Sequence, residues 1–375
     1  MKLSGDWKDI NEIIVYGLGD TARIYLDDLC EKIKVRFIIE NNRKFKDSAY
    51  KGIPVYTFEE CKDMIGNCKI VIIAQTIGLS QISKSLIRNG YKENKDFTSV
   101  ERFVHEWFYL RYQRLHVLEV HTAVTTYCTF NCKNCNMFLP YHKKKFHYTF
   151  EELKRNIDLL FEHVDYLYKY QLVGGEPFLN KDLERFLRYL KSEYSQKIAH
   201  IWIFSNGDII PDMGLVSAMK ESRCELWLSN YENVIDYGER FHQVESLLKD
   251  NGIEVQVRNN VRWTDYGFPE NPKNFSASEA QIHTQLCGTT FHGLEDGRLY
   301  YCNCAWSASK SGLFEVSDDD YLELDVLEKG CNAKEAILNL CLGEIEKGYH
   351  SFCRVCGGLG EDNTTSVLAG IQMPR

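Results

Sequence analysis

The chain has 375 residues, more than a single core usually serves, so two or three domains are expected. Its 44% hydrophobic, 13% aromatic and 26% charged residues are ordinary globular proportions, and a formal net charge of -8 speaks against nucleic-acid or anionic-membrane partners. No apolar run approaches the roughly 18 residues that span a bilayer, and Met1 to Asp9 lack a signal peptide's apolar stretch, so a cytoplasmic protein is expected.

Fourteen cysteines stand out in a chain of this kind. Without a secretory signal they are expected reduced, and clustered thiolates usually bind metal. Cys30, Cys61, Cys68 and Cys224 lie in apolar or helical contexts and read as small buried hydrophobes, as do Cys331 and Cys341.

Residues 1–105 read as a first domain. Ile13 to Tyr16 is an apolar strand, followed by Gly17-Leu18-Gly19-Asp20-Thr21-Ala22 and a helix to about Cys30. Strands at Val35 to Ile39, Ile53 to Tyr56 and Ile70 to Ala74 follow, then a helix from Ser80 to Asn89 closed by Gly90. Strand–helix alternation predicts a parallel, Rossmann-like sheet. Gly17 and Gly19 at the first turn, with Glu40 at the end of the second strand, lie where a dinucleotide fold holds phosphate and ribose. A plain scaffold whose glycines merely permit a tight turn is the competing reading, since Ala22 stands at the third glycine position.

Residues 106–280 read as a second domain. A linking helix over 101–115 leads to extended Val120 to Thr125 and the loop Cys128-Thr129-Phe130-Asn131-Cys132-Lys133-Asn134-Cys135. A capping pattern at Thr149 opens a helix through Phe161. Strand Tyr166 to Val173 ends in Gly174-Gly175-Glu176-Pro177, and strand Ile201 to Phe204 ends in Ser205-Asn206-Gly207. Strands Glu225 to Leu228, ending at Ser229, and Glu254 to Arg258 continue a strand–helix rhythm, with helices from Asp182, Met213 and Gly238 between them. Such a rhythm describes an incomplete parallel barrel, with chemistry at the C-terminal strand ends.

Three thiolates spaced Cys-x3-Cys-x2-Cys can each bind one iron of a four-iron cube and leave the fourth iron open. Structural zinc completed by a ligand such as His142 is the alternative. Residues 281–375 form a third region with a second set, Cys287, Cys302, Cys353 and Cys356. Gly297 shapes a hairpin before Cys302, and Cys304 is either an alternative ligand or a free thiol near a substrate. Zinc is an alternative here too.

The Cys-x3-Cys-x2-Cys loop followed one helix and one strand later by Gly174-Gly175-Glu176 resembles the radical S-adenosylmethionine (SAM) enzymes. The resemblance implies a [4Fe-4S] cluster on Cys128, Cys132 and Cys135, with the methionine end of SAM held at Gly174, Gly175 and Glu176. Ser205 and Asn206 would approach the ribose or carboxylate of SAM and Ser229 would make another polar contact, although each is also an ordinary turn former. The family usually has an aromatic residue just before the third cysteine; this chain has Asn134, and Phe130 or Met137 would have to pack on adenine instead. The second cysteine set resembles the Twitch/SPASM modules that carry an auxiliary [4Fe-4S] cluster. The first domain is similar to sugar-nucleotide-binding domains of bacterial glycan enzymes, through Phe37-Ile38-Ile39-Glu40-Asn41 and Gly52-Ile53-Pro54-Val55. Together these imply an α/β enzyme made of a Rossmann-like sheet, a partial (β/α)6 barrel and a small C-terminal auxiliary-cluster module. The implied reaction is hydrogen abstraction from a sugar, sugar nucleotide or cyclitol, giving oxidation, epimerisation or dehydration, with electrons from flavodoxin or ferredoxin. Maturation of a ribosomal peptide and metal-dependent nucleotide sensing are the alternatives.

Overall fold

The computed structural model describes residues 1–42 and 49–374, which separate into two compact units, Met1–His116 and Val117–Arg375. In the first, strands β1 (Glu12–Tyr16), β2 (Lys34–Ile39), β3 (Ala49–Tyr50), β4 (Ile53–Tyr56), β5 (Lys69–Ile72) and β6 (Phe97–Ser99) form one sheet, in the order β3-β4-β2-β1-β5-β6. All its pairings are parallel except that of β3 with β4, as strand–helix alternation predicts. One face carries Ile14, Tyr16, Phe37, Ile39, Ile70, Ile72 and Phe97, which pack on Phe58, Cys61 and Ile65 of helix Phe58–Ile65 and on Leu86. Each such fully buried side chain contributes about 1.5–3 kcal/mol through lost apolar hydration.

Helix Phe58–Ile65 and strand β6 are additions to the expected elements, although Thr57 and Glu60 form a capping box with both reciprocal hydrogen bonds. The helix expected from Ser80 begins at Thr76. The expected linking helix falls inside the first unit, and Phe103–Trp107 within it is wound as a π-helix. Cys61, Cys224 and Cys341 are buried as expected, and Cys68 partly so. Cys30 and Cys331 are exposed, because they end and begin their helices.

The second unit is built on β7 (His116–Thr125), β8 (Tyr166–Gly174), β9 (Ile198–Ser205), β10 (Glu225–Ser229), β11 (Glu254–Arg258), β12 (Arg262–Thr264), β13 (His292–Glu295), β14 (Arg298–Tyr300), β15 (Tyr321–Glu323) and β16 (Ser366–Leu368). Eight of them form an open sheet in the order β11-β10-β9-β8-β7-β13-β14-β15. β8 to β11 pair in parallel, and β13 runs parallel to β7 on its other side. These six strands match the count of the expected partial barrel. All ten residues of β7 are buried, as suits a central strand.

The region 281–375 does not separate from the barrel, because β13 extends the barrel's own sheet and carries the hairpin β13–β14 with it. The hairpin turn uses Asp296 at φ 57° and Gly297 at φ 76°, the left-handed pair that a tight two-residue turn requires. The hairpin precedes Cys302 as expected; β14 stops at Tyr300, and Cys302 stands at the N-cap of helix Asn303–Lys310. β12 and β16 form a separate antiparallel pair.

Candidate active site

The end of β8 lies against the loop that follows β7. The Gly175 N–H donates to Thr125 O at 2.8 Å, and the Glu176 N–H donates to Tyr127 O at 2.8 Å. A Cβ on Gly174 would land inside the contact shell of Thr125 O, and one on Gly175 inside that of Tyr127 O. Gly174 also has φ +125°, which side-chain-bearing residues rarely adopt. Both glycines are therefore required for the turn to cross the cysteine loop at backbone contact.

Glu176 is fully buried at this crossing. Its Oε1 accepts from Ser205 Oγ at 2.9 Å and from Phe178 N at 3.2 Å, and its Oε2 accepts from Asn206 N at 2.8 Å. Burial pushes the carboxyl up to about 7 even though those donors favour the ionised form. The Asn206 amide continues toward Cys128 Sγ at 3.6 Å and Thr129 Oγ1 at 3.2 Å. The motif residues predicted at the ends of β7, β8 and β9 thus form one connected group. Ser229 lies at the next strand end, two residues before Tyr231, whose ring packs edge-on against Phe130 of the cysteine loop at 6.3 Å.

Cys128, Cys132 and Cys135 are free thiols. Burial pushes Cys128 and Cys132 up to about 12 and Cys135 upward as well, and neighbouring thiols of the loop raise Cys128 and Cys132 further. The loop therefore gathers three sulfurs that repel one another's ionisation. Bound iron would reverse that repulsion and draw them as thiolates. Among the described residues no three His, Cys, Asp or Glu side chains converge on a point suited to a single ion. A cluster is less demanding in this respect, since each iron takes its own thiolate. The donor set, one buried and two half-buried cysteines beside a glycine cradle, fits a cluster with one open iron.

The expected adenine platform is only partly in place. Phe130 packs edge-on against Tyr237 at 5.7 Å and Tyr231 at 6.3 Å, while Met137 is buried in the loop. Asn134 sits at φ 60° and donates through Nδ2 to Asp265 Oδ1 at 3.2 Å.

The second cysteine set also assembles. Cys287 ends helix Ala277–Cys287, Cys302 caps the next helix, and Cys353 lies in the short 3-10 turn Ser351–Arg354 with Cys356 just beyond it. Burial raises Cys287 to about 12 and Cys353 and Cys356 further, and Cys302 adds to each rise. A hydrogen bond from Cys304 lowers Cys302, and that same bond is the first cause raising Cys304. The backbone N–H of Gly358 points to Cys356 Sγ at 3.3 Å, and that of Leu359 to Cys287 Sγ at 3.4 Å. Amides aimed at sulfur suit thiolate ligands of a cluster.

In the first unit the predicted nucleotide residues are committed to one another. Glu40 Oε2 accepts from Leu18 N at 2.7 Å, inside the glycine turn itself, and Oε1 accepts from Asn42 N at 2.7 Å. Gly17, at φ +114°, is needed because a Cβ there would strike Ile73 O. Gly19 faces open space and precedes helix Asp20–Cys30.

Two features lie beyond sequence reasoning. The segment 371–373 pairs with the first cysteine loop: the Lys133 N–H donates to Ile371 O at 2.6 Å and the Met373 N–H donates to Asn131 O at 2.7 Å. Nothing in the residues Ile371-Gln372-Met373 announces this. Within the barrel, Glu119 accepts from His121 Nε2 at 2.5 Å, from Thr290 Oγ1 at 3.2 Å and from the Gln171 amide, and it pairs with Lys169 Nζ at 2.6 Å. Lys169 also lies 4.5 Å above the Trp202 ring. Charged residues at alternate positions of Glu119 to His121 and Lys169 to Gln171 were the available signal, since buried barrel strands are otherwise apolar.

Residues 122–228 match the profile of the Radical SAM superfamily. No curated protein matches the chain. Among solved structures, BtrN in complex with AdoMet and 2-DOIA is similar at 15% identity and a TM-score of 0.44, covering 64% of this chain and 93% of that one. Native anSMEcpe with bound AdoMet is similar at 13% identity and a TM-score of 0.40, covering 65% of this chain and 89% of its own. Methylornithine synthase (PylB) follows at 20% identity and a TM-score of 0.28, with 42% and 48% covered. These likenesses are loose. The matched segment begins in β7 and ends in β10, so it contains the cysteine loop, the glycine turn and Asn206. Residues 122–228 are a radical SAM domain, and the chain is an enzyme whose cofactors are a [4Fe-4S] cluster and S-adenosylmethionine.

Proposed function

We propose that Cys128, Cys132 and Cys135 hold the cluster, and that the protein abstracts hydrogen from a small polar substrate. When bound, the cluster and SAM together supply a 5′-deoxyadenosyl radical able to remove that hydrogen. The observation that carries this reading is the crossing at Gly175, where the turn that would receive the methionine end of SAM touches the backbone of Tyr127 and Cys128. Gly174 and Gly175 keep side chains out of that space. Glu176 fixes Ser205 and the Asn206 amide, and its buried carboxylate offers a counter-charge for an ammonium group. Ser229, at the end of β10, would add a further polar contact to SAM.

Cys287, Cys302, Cys353 and Cys356 form a second, closed cluster site, with Cys304 held beside it as a hydrogen-bond partner of Cys302. We read the substrate as a sugar, sugar nucleotide or cyclitol that is oxidised, epimerised or dehydrated. The buried Glu119, His121, Lys169 and Gln171 beside Trp202 support a hydroxyl-rich molecule, since they place polar groups next to an aromatic face. Flavodoxin or ferredoxin would serve as electron donor. The first unit acts as a scaffold, a role supported by the bond between Glu40 and its own glycine turn.

The test is anaerobic reconstitution with iron and sulfide. The full chain is expected to hold about eight irons, and the triple change of Cys128, Cys132 and Cys135 to alanine about half of them. Reduced with dithionite in the presence of SAM, the wild type is expected to release 5′-deoxyadenosine and the triple variant none. Zinc at the first site after anaerobic purification would refute the assignment.

A further inference from the structure

We infer that Gln372 is a positioning residue for the first cluster, one that sets its reduction potential through a hydrogen bond to the sulfur of Cys132. The inference rests on the proposed role of Cys132 as an iron ligand. Gln372 Nε2 lies 3.2 Å from Cys132 Sγ and also donates to Gly370 O at 2.7 Å, while its Oε1 accepts the Asn131 N–H at 2.7 Å. One side chain therefore reads both the sulfur and the backbone beside it.

The placement is built from several directions. The segment pairs with the cysteine loop through Lys133 N to Ile371 O and Met373 N to Asn131 O, and Asn131 Nδ2 donates to Met373 O at 3.3 Å. Upstream, β16 pairs with β12, and Arg262 donates to Ser366 Oγ at 2.9 Å and to Ser366 O at 2.8 Å. Gly370, at φ +81°, has Tyr231 and Val234 directly against it, so a side chain there would be forced into them. This backbone course delivers Gln372 to a thiol that is itself only 8% exposed.

An N–H aimed at a thiolate ligand withdraws electron density from the sulfur and favours the reduced, more negative cluster. Removing the donor should make the cluster harder to reduce. Cluster reduction is the step before SAM cleavage, so Gln372 tunes access to it without touching SAM.

The experiment is a redox titration of the iron-loaded full chain, followed by the paramagnetic signal that shifts on adding SAM, which identifies the first cluster. Gln372→Glu keeps an acceptor for the Asn131 N–H and removes the donor; Gln372→Met removes the donor without adding charge. Both are expected to show about tenfold less reduced cluster at a fixed potential, which is ~59 mV for a one-electron couple. Arg262→Ala, which loosens the segment upstream and leaves Gln372 intact, is expected to keep the wild-type potential. A wild-type potential in both Gln372 variants would overturn the inference. So would an equal shift in Arg262→Ala, or loss of the cluster from both Gln372 variants, since the residue would then be a mechanical clamp. If Cys132→Ala held as much iron as wild type, the cluster assignment itself would fall, and the iron count shows that before any potential is read.

Discussion

Replacing Glu176 with glutamine isolates what its charge does at the strand ends. Both carboxylate oxygens accept: Ser205 Oγ and Phe178 N approach Oε1, and Asn206 N approaches Oε2 at 2.8 Å. An amide can offer its oxygen to only one of these sides. Its NH2 must then face a donor, either Asn206 N or the pair at Oε1. A buried donor left unsatisfied costs about 1–3 kcal/mol. Against this stands the cost of holding a carboxylate in a dry site, where burial raises the group to about 7 from a usual 4.5. The folded-state value is the higher one, so its stabilisation is complete below the unfolded value and is lost as pH rises through about 7. The total is roughly 3 kcal/mol, from about 2.5 pKa units at 1.36 kcal/mol each. Unfolding by urea at a series of pH values should show wild-type stability falling across that window, with Glu176→Gln lacking this fall. Binding of SAM to the reconstituted protein should run the other way. An ammonium favours the ionised carboxylate, so wild-type affinity should rise with pH through about 7, while Glu176→Gln binds at least tenfold more weakly and without that rise. Iron content should match wild type, because no sulfur is removed. Wild-type SAM affinity in Glu176→Gln would refute the role assigned to this carboxylate.

Other perturbations test neighbouring parts of the site. Gly175→Ala forces a Cβ onto Tyr127 O and must displace the cysteine loop, so iron at the first site should be lost while the second set keeps its own; full retention in an iron assay would contradict the required crossing. In the barrel, burial alone would raise Glu119, but Lys169 and His121 outweigh it and hold the group at about 2, below its usual 4.5. That depressed value contributes roughly 3 kcal/mol above pH ~4.5, lost as pH falls through about 2. Glu119→Gln should therefore flatten the acid arm of the stability profile while lowering neutral stability by about 3–5 kcal/mol, because Lys169 is left buried without its counter-charge. Asn134→Phe should lower the melting stability by about 1–3 kcal/mol without strengthening SAM binding, since it loses the Asp265 bond and places an aromatic residue at positive φ. A variant as stable as wild type would show that the left-handed backbone imposes nothing there.

The local signals in the sequence were those tied to backbone chemistry. Thr149 with Glu152 marks a helix start that the structure reproduces at Phe150, strand Glu254–Arg258 has the predicted ends, and helix Met213–Glu221 has the predicted start. The glycine turn and the three cysteines are visible because their spacing is local. Helix Phe58–Ile65 escapes notice although Thr57 and Glu60 spell the same capping box, because it is short and lies between two strands. Gln372 is out of reach, since its partner Cys132 is 240 positions away and no pattern in either segment names the other. The barrel network is hidden for a related reason. Glu119 and Lys169 each read as an isolated charge in an apolar strand, and only the sheet order puts them side by side.

One loop explains why this chain departs from the usual aromatic residue before the third cysteine. Asn134 is in the left-handed region, which asparagine adopts more readily than most side-chain-bearing residues, and its amide reaches Asp265. Asp265 O in turn accepts from Asn363 Nδ2 at 2.9 Å, and Tyr266 O accepts from Gly357 N at 2.7 Å, beside Cys356. Tyr266 is half-buried and packs against the cluster that contains Cys304 and Cys356. A run of hydrogen bonds therefore links the first cysteine loop through Asp265 and Tyr266 to the backbone beside Cys356. The same loop begins at β12, whose partner β16 delivers Gln372 to Cys132. At this position Asn134 makes a hydrogen bond to Asp265 that an aromatic ring has no amide to make.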